Sequence, residues 1–177
     1  MVKFKFLVIP AVALVASVVA EADQLQSFED AKERIYPGQS LKSADFTLSD
    51  SDYIRLKFDY KVPSLRPLVK VWRTDSGDWL FLDQVYGLND IVTYLLGVDS
   101  AGNITGLEVL TCAEGFCESL YTEQWVGQMS KVRHGRWMPE EVVPIISGAT
   151  LSTTHVAEGV KKLLAIHARY LPHVGES

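Results

Sequence analysis

The chain has 177 residues, of which 47% are hydrophobic and 22% charged, and it carries a net charge of −5. That length suits one domain with a sizeable core, and the composition excludes a disordered or collagen-like polypeptide. The acidic balance argues against nucleic acid as the main partner, because phosphate binding requires a basic face.

Met1 to Ala20 (MVKFKFLVIPAVALVASVVA) sets Lys3 and Lys5 ahead of an apolar run from Phe6 and ends in small residues. This order predicts a secretory signal peptide with Val18 and Ala20 at the −3 and −1 positions, cleaved after Ala20. The run is about 15 residues, short of the roughly 20 that a spanning helix needs, and Pro10 interrupts it. An uncleaved membrane anchor is the alternative. Loss of Lys3 and Lys5 leaves 15 of the 17 basic residues against 22 acidic ones, a net charge of −7 for the exported part. Export gives Cys112 and Cys117, in TCAEGFCE, the default reading of a structural disulfide closing a tight loop. A redox-active pair and free thiols are the other readings. The spacing does not fit haem attachment, and no second ligand pair supports zinc.

In chain order, Asp23 to Ile35 places Leu25, Phe28, Ala31 and Ile35 at helical spacing, and Tyr36-Pro37-Gly38 stops that helix. Ser40 to Leu65 is mixed, with a short strand followed by a helical turn or a second strand. Leu68–Trp72 and Trp79–Tyr86 read as strands joined by a turn over Thr74–Asp78. Ile91–Val98 and Ile104–Leu110 read as a hairpin around Asp99–Asn103. Tyr121–Met129 predicts a short helix. From Ser152 to Tyr170, Val156, Val160, Leu163, Leu164, Ile166 and Tyr170 fall on one broad face of a final helix, ended by Pro172. His167 and His173 are assigned to the surface, and His155 to the helix surface or a cap, with contact to a bound cofactor as its alternative. The pattern is α+β: an antiparallel sheet flanked by helices, with 21–80 as an N-terminal helix and strands and 81–177 as the core of one domain.

The residues that carry chemistry precede that last helix. Ser147-Gly148-Ala149-Thr150-Leu151-Ser152-Thr153-Thr154 crowds small residues and hydroxyls onto a helix N-terminus. Free N–H groups and the helix dipole favour an anion there. Gly148 and Ala149 leave room for a phosphate, and Ser147, Thr150, Ser152 and Thr153 can donate to its oxygens. On composition alone simple N-capping, in which one hydroxyl accepts from an N–H and the rest are bystanders, is the favoured reading of the same residues.

Ser147-Gly148-Ala149-Thr150 resembles the S/T-G-A-T signature of FMN-binding domains from the Rnf and Nqr redox complexes and their single-domain exported relatives. Phe81–Leu110 resembles that family's hairpin, Glu114-Gly115 its Glu-containing loop, and Gln124-Trp125-Val126-Gly127 its Q-F-x-G element. The similarity runs from about Phe28 to Leu164 and is weak before Trp79. It implies an exported, membrane-associated electron-transfer flavoprotein rather than a self-sufficient enzyme. FMN would be held covalently, as a phosphoester on Thr150, after modification by an FAD-dependent flavin transferase. It implies a membrane or periplasmic redox partner. Trp125, Tyr121, Leu151 and the loop around Glu114 are the candidate cradle for the flavin ring. Two departures are visible. Relatives carry Asp where this chain has Pro144, which predicts less efficient modification or a divergent transferase. Relatives often carry Lys where this chain has Gln128. The competing reading is a non-flavinylated binding or assembly module that kept the fold.

Overall fold

A computed structural model describes residues 28–60, 66–88, 90–112, 120, 122–132 and 150–171. The alternating segments from Leu68 onward become four strands: β3 (Leu68–Thr74), β4 (Trp79–Tyr86), β5 (Ile91–Val98) and β6 (Ile104–Thr111). All pair antiparallel with their sequence neighbours. Local chemistry makes the turns. In the β5–β6 turn, Asp99 Oδ1 accepts the N–H groups of Ala101 at 3.0 Å and Asn103 at 2.7 Å, an aspartate substituting for backbone in a tight bend.

The mixed segment before β3 resolves into two very short strands and a helix. β1 (Leu41–Ser43) and β2 (Phe46–Thr47) both pair with β3, giving a sheet of order β1-β3-β4-β5-β6 with β2 on the same edge. Leu41 lies opposite Thr74 and Phe46 opposite Val69 in one unbroken register. They are therefore one edge strand interrupted at Ala44-Asp45. The Asp45 carboxylate fills the interruption, accepting the Val71 N–H at 3.0 Å and the Lys70 ammonium at 2.6 Å. Helix α2 (Asp50–Tyr60) follows, where the sequence left a helical turn and a second strand both open. Ser49 Oγ accepts the Asp52 N–H at 3.2 Å, and Asp50 and Asp52 stand in the first turn, where the dipole favours them.

The two faces of the sheet bury different things. One face carries α4 (Thr150–Tyr170), with α2 and α3 (Glu123–Met129) around it. Val71, Phe81, Val85, Tyr94, Leu96 and Val98 meet Val156, Val160, Leu163, Leu164 and Ile166 in this main core. The opposite face is covered by the helix at residues 28–35, α1, over a small second cluster of Ala31, Tyr36, Leu80 and Leu95. Ile35 of α1 lies over the cross-strand pair Gly97–Gly106; a side chain at Gly97 would collide with Ile35 and Thr105. These two glycines open the seat for α1. Strands on both sides of residue 80 thus belong to one sheet. Residues 23–27 of the expected first helix, and the whole of 1–20, lie outside the described residues. Among those described, no helix is long and apolar enough to cross a membrane.

Candidate functional site

Helix α4 begins at Thr150, two residues earlier than periodicity predicts, so Thr150 is its first residue. Residues 150–153 form its first turn, where the positive end of the helix dipole lies. The first turn holds no acidic residue, so no side-chain carboxylate offsets the positive end of the dipole there, and His167 and Arg169 stand in the last turn, at its negative end. Ser152 and Thr153 are buried, at 2% and 0% exposure. They face the protein interior rather than solvent. Leu151 is exposed at 46%.

A second contact fixes this end of α4 to the sheet. His155 Nδ1 lies 2.5 Å from the Tyr86 carbonyl oxygen. A carbonyl only accepts, so Nδ1 carries the proton and Nε2 is left as the outward nitrogen. His155 is thereby a structural tie between the second turn of α4 and the end of β4. Tyr86 and Leu88 are exposed there, and Leu151 lies one turn before His155 on the same helix face. An apolar rim results at the N-terminal end of α4.

Trp125, a candidate for the ring cradle, is fully buried in the main core, and its indole N–H has no acceptor among the described residues. It sits on α3, whose N-cap Thr122 accepts the Trp125 backbone N–H at 3.3 Å. Cys112 is disulfide-bonded and packs against the main core. Ser147, Gly148, Ala149, Glu114, Tyr121, Pro144 and Cys117 lie outside the described residues. Gln128 is described, on α3, and is partly buried.

Two assignments change. His167, assigned to the surface, is 4% exposed and its ring lies beside Gly102 of the β5–β6 turn. Its spacing from Val160, Leu163 and Leu164 on α4 was a signal for that face. Asp83, which the sequence analysis did not single out, is the centre of a largely buried polar cluster. Lys162 of α4, at 1% exposure, donates to Asp83 Oδ2 at 2.6 Å, and the Tyr94 hydroxyl donates to the same oxygen at 2.7 Å. Burial, then the neighbouring Asp83 carboxylate, push the Tyr94 hydroxyl far above its usual pKa, so it stays a donor. Asp83 follows Phe81 and precedes Val85 on the inward side of β4, which marks it as a buried carboxylate even in the sequence.

Residues 87–165 match the profile of the FMN-binding domain family. That segment is similar to an FMN-binding domain. The matched segment takes in β5, β6, α3 and most of α4, and with them Thr150 and Trp125. Strands β1–β4, α1 and α2 precede it, so the sheet to which the matched segment contributes β5 and β6 is completed by chain that the family profile does not cover. None of the curated proteins matches the chain. The described residues fit FMN: a helix N-terminus free of carboxylates suits a phosphate ester, and the apolar rim of Leu151, Tyr86 and Leu88 suits a planar ring.

Proposed function

We propose that this protein is an exported electron carrier that holds FMN as a phosphoester on Thr150. The observation that carries the reading is the placement of Thr150 as the first residue of α4, inside the segment that matches the FMN-binding domain. In maturation the Thr150 hydroxyl oxygen forms a bond to the FMN-side phosphorus of FAD. The pyrophosphate bond breaks, AMP leaves, and the hydroxyl proton passes to a base on the flavin transferase. The first turn of α4 would hold the phosphate ester at the positive end of the helix, with a dipole contribution of about 0.3–2 kcal/mol. Leu151, Tyr86 and Leu88 offer apolar surface, and the His155–Tyr86 contact keeps helix and strand in place beneath it. FMN, when bound, supplies the electron transfer; the protein supplies position and electrostatics. Covalent attachment suits a periplasmic protein, because a cofactor held even at a Kd of about 1 nM dissociates into a dilute compartment and is lost.

The electron donor and acceptor on this reading are a membrane redox complex and another exported protein. The test is coexpression with a flavin transferase and export. The expected product stays yellow after denaturing precipitation, and its mass exceeds the processed chain by FMN less water. Thr150→Val loses both signals. Colour retained in that variant moves the attachment elsewhere. Colourless, unmodified protein from its native cells establishes the non-flavinylated module instead, with Pro144 as the departure that explains it.

A further inference from the structure

The pairing of β3 with β4 stops at Lys70 opposite Leu82, although β4 continues alongside β5 as far as Tyr86. Beyond that point Leu68 and Val69 keep only their β2 partners, on the other edge of β3, and the β3–β4 seam opens. A cleft of about 220 Å³ occupies the opening. Val69, Leu163 and Ile166 give it apolar walls, and Asp83, Lys162 and Arg66 also line it.

The polar groups in the cleft have bonding capacity left over. The Lys162 ammonium has three N–H donors, and its one acceptor among the described residues is Asp83 Oδ2. Arg66 is exposed and makes no ion pair among the described residues. Lys70 at the rim is matched by Asp45, and Lys162 by Asp83. The remaining charge, on Arg66, is positive. Lys162 lies twelve residues along α4 from Thr150, about 18 Å at 1.5 Å per residue, so this cleft is separate from the flavin end.

We propose that the cleft is a second binding site, for a small organic monocarboxylate. Its carboxylate meets the spare donors of Lys162 and the guanidinium of Arg66. Its apolar tail lies against Val69, Leu163 and Ile166. At roughly 30 Å³ per water the volume equals about seven waters, which suits an acid of about eight heavy atoms. Inorganic phosphate fits less well, because it has no apolar part to set against Val69, Leu163 and Ile166.

The test is titration of the exported full chain with hexanoate, followed by amide NMR. Saturable shifts are expected at residues 68–70, 82–84 and 162–166, in the millimolar range or tighter, with residues 150–153 unmoved. Arg66→Gln, on the exposed rim, should weaken binding about tenfold. Leu68→Trp, from an exposed position lining the cleft, should block it without touching the core. Neither variant disturbs the buried Lys162–Asp83 pair, so both should fold. The proposal is overturned by an absence of saturable shifts, by equal shifts with hexanol or phosphate, or by binding that ignores both variants.

Discussion

Gly159 of α4 lies directly over the Tyr94 hydroxyl, and a methyl group there would run into that oxygen and press on Val85. In an exposed helix, Gly→Ala gains about 1 kcal/mol. Here Gly159→Ala is expected to cost about 1–3 kcal/mol through overpacking. Adding Tyr94→Phe removes the colliding oxygen, so the double variant should be less destabilised than the two single losses added together. Denaturant titration of all four proteins checks this. The neighbouring ion pair makes a second prediction. Lys162→Met leaves the Asp83 carboxylate without its cation in a mostly buried setting, at a cost of about 3 kcal/mol. Lys162→Met with Asp83→Asn should recover much of that loss, because an amide oxygen still accepts from Tyr94. No recovery in the double variant would mean that the pair is not what Lys162 contributes.

The helices differ in how they are held. α1 rests on its sheet face through Ile35 over the Gly97–Gly106 pair, a Phe28–Trp72 ring contact with centroids 5.2 Å apart, and the Arg34–Glu108 ion pair at 2.9 Å. Ile35→Ala should therefore raise amide hydrogen exchange across residues 28–35 and leave the amides of α4 protected. α3 is short and depends on its cap. Thr122→Ala is expected to lower stability by about 1 kcal/mol, read from denaturant titration. The elements most legible in the sequence were those whose boundaries are set by turn chemistry: Thr74–Asp78 and Asp99–Asn103 delimit the strands β3 to β6. The segment 41–60 was ambiguous because its strands have three and two residues, too few to show a period, and Asp45 makes their continuity through a side chain. The early start of α4 was hidden for a related reason: Thr150 and Leu151 break the apolar periodicity by which the helix is recognised. Lys162 could not be read from its own helix at all, since its partner, Asp83, comes from β4.

Carboxylates and phenols set opposite limits on the pH range of the folded chain. Burial pushes Asp45 up, but the Lys70 ammonium and the Val71 N–H together overcome it and hold its pKa below the ordinary value. At Asp99 burial is likewise outweighed, by the side chain and backbone of Asn103, the Ala101 N–H and the charge of His167. A depressed carboxylate stabilises the fold above its unfolded pKa of about 3.9, and that contribution disappears as pH falls through the lower folded value. Tyr36 behaves in the opposite sense. Burial raises it to about 12, and its stabilising contribution is complete below the unfolded value of about 10 and lost as pH rises through the folded one. Thermal unfolding should show a plateau between about pH 4 and pH 10 with a fall on both sides. Asp45→Asn should flatten part of the acid limb, and an unchanged limb would show that the β1–β2 gap is closed by something other than that carboxylate.

The separation of the two hydrophobic clusters bears on how the chain takes a load. Tension applied ahead of Phe28 arrives first at α1, which grips a shallow patch on the far side of the sheet. That helix would peel away before any strain reached α4 or the ladder between β4 and β5. Whatever holds the amino end of this protein, the lost contact would be a sacrificial one, a mechanical fuse in front of the hydroxyl-rich helix start.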